Sequence, residues 1–229
     1  MRSVLVFAAI FVTVGIAVAQ DTRPQAATCA DFRDMEAAYK SCTEVIEGGM
    51  PLNSAILAEA HLNRGVLLLQ RRDFSRARVD LSRANQLMPN NFEPLHWLGA
   101  LAQTEGDEAR AIDHYTSALV LNPDAVGTRN NRALLFWATG QVERAIGDRD
   151  ETIRRHPAHV TSYLNRAMER SALGQIKPAM MDFKTVYDLK PTVFVQRCLA
   201  AAILAVDRQN QGMSAAIPGE CQAKRPGTK

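Results

Sequence analysis

Between residues 58 and 193, apolar positions return every three or four residues, lapse over a few polar or glycine positions, return again and stop at a proline. Pro89, Pro123, Pro157 and Pro191 mark those stops at a constant spacing of 34 residues. The periodicity predicts two amphipathic helices per period. Each proline ends the second helix, because it has no N–H to donate and drives its predecessor out of helical angles. Four frames follow without a gap: 58–91, 92–125, 126–159 and 160–193. Their eighth positions hold Gly65, Gly99, Ala133 and Ala167, and their twentieth Ala77, Ala111, Ala145 and Ala179. Side chains this small let paired helices approach closely. A helical hairpin of this length cannot bury its apolar face alone, so the frames are expected to stack into a solenoid with a long concave surface.

Not every slot repeats. Gly106, Gly140 and Gly174 stand before the second helix, where a tight turn can use them, while the first frame has Arg72. The twenty-fourth position reads Leu81, Tyr115, Arg149, Phe183 and the thirtieth Leu87, Leu121, Arg155, Leu189. The third frame, with its highly charged second helix, is therefore expected to be the weak one, either more solvated than its neighbours or in need of partners for its arginines. A second pattern links two slots. Arg64, Arg132 and Arg166 each follow an asparagine, and each precedes an aspartate by sixteen residues: Asp80, Asp148 and Asp182. The remaining frame has lost both members, carrying Leu98 and His114. Joint loss predicts a bidentate Arg–Asp pair between the two helices of a hairpin; separate solvated charges are the alternative.

The small eighth and twentieth residues and the closing proline resemble the tetratricopeptide (TPR) repeat, and the resemblance covers about 136 residues, four frames of 34. It implies an all-α fold, a right-handed α-solenoid of helix-turn-helix repeats with a capping helix at each end. It also implies that the first helices line a concave groove that binds a peptide or protein. Among the groove positions the candidates are Asn63, Trp97, Asn130, Asn131, Trp137, Asn165 and Met168. Recurring amides can hold an extended backbone, and the two tryptophans can serve as anchors or as ordinary packing between repeats. Some TPR proteins clamp a terminal carboxylate with basic groove residues. Here the second positions are Glu59, Glu93, Gly127 and Thr161, so that activity is not implied.

The ends of the chain carry different signals. In segment 1–19, Arg2 precedes an apolar run and Ala17-Val18-Ala19 offers a small-x-small cleavage site, the pattern of a secretory signal peptide. Residues 20–57 are read as an N-terminal segment with a capping helix over 34–47, a break at 48–51 and Asn53 or Ser54 capping the next helix. Residues 194–229 are read as a closing helix over 194–206 and an irregular tail. Export permits disulfides. Cys29 and Cys42 lie before the array and Cys198 and Cys221 after it. Stacked helices are about 8–10 Å apart, and a disulfide spans roughly 7 Å between α-carbons. Pairing across the whole stack is thereby excluded, leaving Cys29 with Cys42 and Cys198 with Cys221, or four unpaired thiols.

Composition narrows the class further. The formal charge is +3, and no basic run is interleaved with aromatics, so nucleic acid is not an expected partner. No span crosses the membrane in the mature chain on this reading. No Asn-x-Ser/Thr acceptor occurs, which favours a bacterial periplasm over a glycosylating route. Nucleophile elbows, phosphate-cradling glycines and metal-ligand spacings are absent from the sequence, and His156 and His159 flank a helix-ending proline. The expectation is a non-catalytic periplasmic or secreted adaptor, cut near Ala19, with no cofactor or metal. Self-association into an envelope assembly is the alternative, and a homo-oligomer is compatible with either.

Overall fold

The structure, a computed structural model, describes residues 28–48 and 53–224. The expected signal segment and most of the break predicted at 48–51 lie outside them. The described helices are α1 Met35–Glu47, α2 Ser54–Gln70, α3 Phe74–Leu87, α4 Glu93–Thr104, α5 Glu108–Leu121, α6 Val126–Ala138, α7 Val142–Arg155, α8 Val160–Ala172, α9 Ile176–Leu189 and α10 Val193–Asn210; among the described residues there is no strand. Helix α2 packs on α3, α4 on α5, α6 on α7 and α8 on α9, and each hairpin packs on the next, with α1 and α10 covering the two ends. Asp34 caps α1 by accepting from the N–H groups of Glu36 and Ala37, and Asn53 caps α2 by accepting from Ala55. The second helices stop at Met88, Asn122, His156 and Lys190, each directly before a frame's closing proline.

The hairpin turns close in one way. The N–H groups of Asp73, Asp107, Gln141 and Gln175 reach back to the carbonyls of Leu68, Ala102, Phe136 and Arg170 at 2.9, 2.9, 2.7 and 2.9 Å. This is a six-residue Schellman closure, which places the preceding residue in the left-handed region. Gly106, Gly140 and Gly174 sit there at φ +81°, +78° and +72°, and Arg72 is held at +62° without the freedom of glycine. The close approach required at the eighth position is equally specific. A Cβ on Gly65 would lie 2.8 Å from the Leu81 side chain, and one on Gly99 would lie 2.6 Å from the Tyr115 ring. All four alanines of the twentieth position are fully buried.

The predicted arginine and aspartate positions meet in all three hairpins that carry them. Arg64 Nε and Nη2 donate to Asp80 at 2.7 and 3.0 Å, Arg132 to Asp148 at 2.9 and 2.7 Å, and Arg166 to Asp182 at 2.9 and 2.6 Å. The pairs also have partners that were not foreseen: His61 Nδ1 is 2.8 Å from Asp80, Arg170 donates to Asp182 at 2.8 Å, Arg166 donates to Asp150 at 2.5 Å and Arg64 to Glu47 at 3.3 Å. Cys29 is bonded to Cys42 and Cys198 to Cys221, one bridge at each end of the stack.

Of the two outcomes expected for the third frame, its arginines follow the second. Arg155 binds Glu151 and Asp124. Arg149 is 1% exposed and donates through Nε and Nη2 to Glu169 Oε1 at 3.3 and 3.1 Å, and through Nη1 to Asn130 Oδ1. The equivalent slots of the earlier interfaces are apolar, Leu81 with Leu101 and Tyr115 with Leu135, each pair within one buried cluster. Sequence reasoning missed Glu169. Its signal was available, since Arg149 and Glu169 replace apolar residues at facing slots of consecutive frames. Burial pushes the Glu169 carboxyl above its usual value against the attraction of Arg149, and Oε2 has no partner among the described residues.

Candidate functional site

The first helices α2, α4, α6 and α8 carry the predicted groove residues on one side, and a seam of polar contacts ties them together. His96 Nδ1 on α4 meets Thr128 Oγ1 on α6 at 2.9 Å, and Asn165 Nδ2 on α8 donates to Asn130 Oδ1 on α6 at 3.3 Å. Asn131 Nδ2 reaches the Tyr115 hydroxyl at 3.5 Å, and that hydroxyl donates to Gln103 at 3.0 Å. At the N-terminal end, Asn63 Nδ2 lies 3.9 Å from Cys29 Sγ. The predicted amides thus also make contacts within the chain, those of Asn63 and Asn131 being long. The reason is geometric: a side chain at the sixth position reaches its neighbours in the stack as readily as it reaches the groove. Asn130 is held most firmly, because its oxygen also accepts from the buried Arg149.

The two tryptophans have different fates. Trp97 is half-buried, with its ring edge-on to His96 at 5.2 Å and packed against the Leu62, Val66 and Leu98 cluster beside Leu69. Leu134 on α6 is 42% exposed, and Gln103 is exposed on the C-terminal turn of α4. Trp137 follows the packing alternative, within a buried cluster that includes Ala172 of the next frame, and adds a contact with the tail. It is 7% exposed, its indole Nε1 donates to the carbonyl of Lys224 at 2.7 Å, and Ala223 packs against its cluster. It anchors the chain's own tail rather than waiting as an open contact. Met168 is likewise half-covered: its carbonyl accepts from the Ala223 N–H at 3.0 Å, and its side chain packs against Ile217, Cys198 and Cys221.

The electrostatics of this face are mild. Burial lowers the His96 imidazole below its usual value and pushes the Tyr115 phenol up to about 12, so both are neutral near pH 7. Glu59 and Glu93 are exposed at the entrance positions of α2 and α4. Such a surface suits apolar groups, amides and main chain better than a carboxylate. Among the described residues no three His, Cys, Asp or Glu side chains gather to hold a metal ion, and no helix is long and apolar enough to cross a membrane. Of the histidines beside Pro157, His159 is occupied in capping α8 by accepting from the Ser162 N–H.

No family model matches the chain. Its sequence is similar to serine/threonine-protein phosphatase 5 of Homo sapiens, 33% identical over 85 residues that make up 37% of this chain and 17% of that protein. The chain thus spans less than a fifth of that relative's length. Its fold is similar to that of a tetratricopeptide repeat protein from Parabacteroides merdae ATCC 43184 (TM-score 0.62, 18% identity, 83% of this chain and 74% of that one). It is also similar to YrrB, described as a TPR protein with an unusual peptide-binding site (TM-score 0.59, 16% identity, 82% of this chain and 92% of that one).

Proposed function

From a chain with the tetratricopeptide-repeat fold, we propose a non-catalytic adaptor of the bacterial periplasm that holds an extended segment of a protein partner against the inner side of α2, α4 and α6. The observation that carries this reading is that half-buried Trp97 and exposed Gln103 on α4 and exposed Leu134 on α6 stand on neighbouring first helices. They offer an aromatic face, an aliphatic contact and the amide of Gln103, whose oxygen also accepts from Tyr115, on a scaffold fixed by buried ion pairs. The peptide-binding description of YrrB supports the same use of the fold. Export is supported by the signal pattern of residues 1–19 and by two disulfides that need an oxidising compartment. The exposed Glu59 and Glu93 favour a partner segment without clustered carboxylates.

The test is capture of partners by crosslinking from the native chain, compared with Trp97→Glu/Leu134→Glu and with Val79→Glu/Val120→Glu. Val79 and Val120 are 68% and 76% exposed on second helices, so the latter pair alters the other side. Loss of capture only in the inner-face variant supports the proposal, and loss only in the outer-face variant overturns it. Self-association is the second reading, favoured by Phe194, Ile203 and Leu204, which lie exposed on the terminal helix α10. A sedimentation coefficient that rises with concentration would select it.

A further inference from the structure

The C-terminal tail does not trail away from the stack. After α10 it turns at Gly212 (φ +73°), runs through residues 213–218 without regular structure, and makes one short 3-10 turn at Gly219–Cys221. Along this path Ile217 is 2% and Cys221 0% exposed, and Ala215 packs beside them against Ala167, Leu164 and Met168 of α8 and Cys198, Ala202 and Ala205 of α10. Beyond the bridge, main chain meets first-helix groups directly: Ala223 N–H donates to the Met168 carbonyl, and the Lys224 carbonyl accepts from the Trp137 indole. The segment meets α10, α8 and α6 in turn, and its contacts on α8 and α6 are made at Met168 and Trp137, both predicted groove positions. Small aliphatic side chains fill its apolar sites, and the polar contacts come from backbone groups of Ala223 and Lys224 and from Glu220, which pairs with Arg197 of α10 at 2.5 Å. Main-chain hydrogen bonds flanked by apolar sites for side chains are one recurring way in which an extended peptide is held.

Resting on the adaptor reading above, we infer that the surface from Trp137 to Cys198 is a peptide track and that residues 213–224 are its resident ligand, locked in place by the Cys198–Cys221 bridge. The track fits an extended segment with alanine- or isoleucine-sized side chains and no acidic cluster. A partner segment of that chemistry gains this half of the groove only when the tail leaves it, whereas the half at Trp97 stays open throughout. The bridge makes the occupancy strong, because a tethered ligand competes at an effective concentration in the millimolar range.

The probe is a labelled synthetic peptide of residues 213–224 carrying Cys221→Ser. It is titrated against the native full chain and against a full chain with its own tail displaced by Cys198→Ala, Ile217→Asp, Cys221→Ser and Ala223→Pro. The displaced chain should bind the peptide at least about tenfold more tightly than the native chain. Adding Trp137→Phe should weaken that binding about fivefold, the worth of one hydrogen bond. Equal binding to both chains, or no binding to a displaced chain whose helical circular dichroism is intact, overturns the inference. Should the displaced chain fail to fold, amide exchange on the native chain decides instead: a protected Ala223 N–H supports the resident tail, and exchange at the random-coil rate refutes it. The adaptor reading is judged separately by the Trp97 variants, whose patch the tail does not cover.

Discussion

Asp182 offers the sharpest test of what holds each hairpin together. Its carboxylate, on a side chain 4% exposed, accepts two hydrogen bonds from Arg166 and one from Arg170. Asp182→Asn keeps the shape but removes the charge and replaces one acceptor oxygen with a donor, which faces two guanidinium groups. Breaking a buried ion pair from one side costs about 3–5 kcal/mol; Arg166 keeps its contact with the half-exposed Asp150, which sets the expected cost at the lower end, about 3 kcal/mol. Asp188, six residues further along the same helix, pairs only with Lys184, and both side chains are more than half exposed; Asp188→Asn should cost about 0.3–0.5 kcal/mol. Both substitutions change net charge equally, so global electrostatics cancel in the comparison. Urea titrations followed by far-UV circular dichroism measure the two costs. With about 2–4 °C per kcal/mol for a chain of this size, thermal midpoints should fall by about 6 °C or more for Asp182→Asn and by about 1 °C for Asp188→Asn. Stacked repeats couple mainly to their neighbours, so amide exchange should also rise first in α8 and α9. Equal costs for the two variants would refute the buried-pair reasoning.

Three further perturbations probe other parts of the same scheme. Burial raises the Asp80 carboxyl, but hydrogen bonds from His61 and Arg64 outweigh that and hold it below its ordinary value of 3.8. A depressed carboxyl contributes stability that is fully present above the unfolded value and is lost as pH falls through the folded one. The advantage of the native chain over Asp80→Asn should therefore be flat above about pH 5 and shrink below about pH 4, as read from urea midpoints across that range. Arg72→Gly relieves a left-handed backbone at the first hairpin turn and should stabilise the chain by about 0.5–1 kcal/mol after the added freedom of glycine in the unfolded state is counted; a lower melting temperature would contradict the turn geometry. Replacing Arg149 and Glu169 together by leucine should leave stability unchanged or raise it by about 1–4 kcal/mol, while Glu169→Leu alone should cost about 3–5 kcal/mol, a contrast that a double-mutant cycle in urea measures directly.

What the sequence made legible was whatever recurs at a fixed offset. The prolines, the small eighth and twentieth residues and the Arg–Asp offset of sixteen each report a contact made within one hairpin, and copies of the hairpin make such a contact visible. The buried ion pair between frames is harder to read, because it occurs at one interface where the equivalent slots of the others are apolar. The Arg149–Glu169 pair becomes apparent only when the twenty-fourth slot of one frame is set beside the tenth slot of the next. Position within a repeat also says which side of a helix faces the groove, but not what already lies in it. Trp137 and Met168 hold groove positions, yet the distant C-terminal segment covers them. The stretch 209–229 is polar and rich in glycine, proline and lysine, so it reads as an irregular tail, although Ala215, Ile217, Cys221 and Ala223 turn toward the stack. The fixed elements and the covered groove share one cause. A solenoid has no closing partner for its last face, so α10 and the tail must supply one, and the bridge between Cys198 and Cys221 keeps the tail on the inner side, where it competes for the surface that the repeats build.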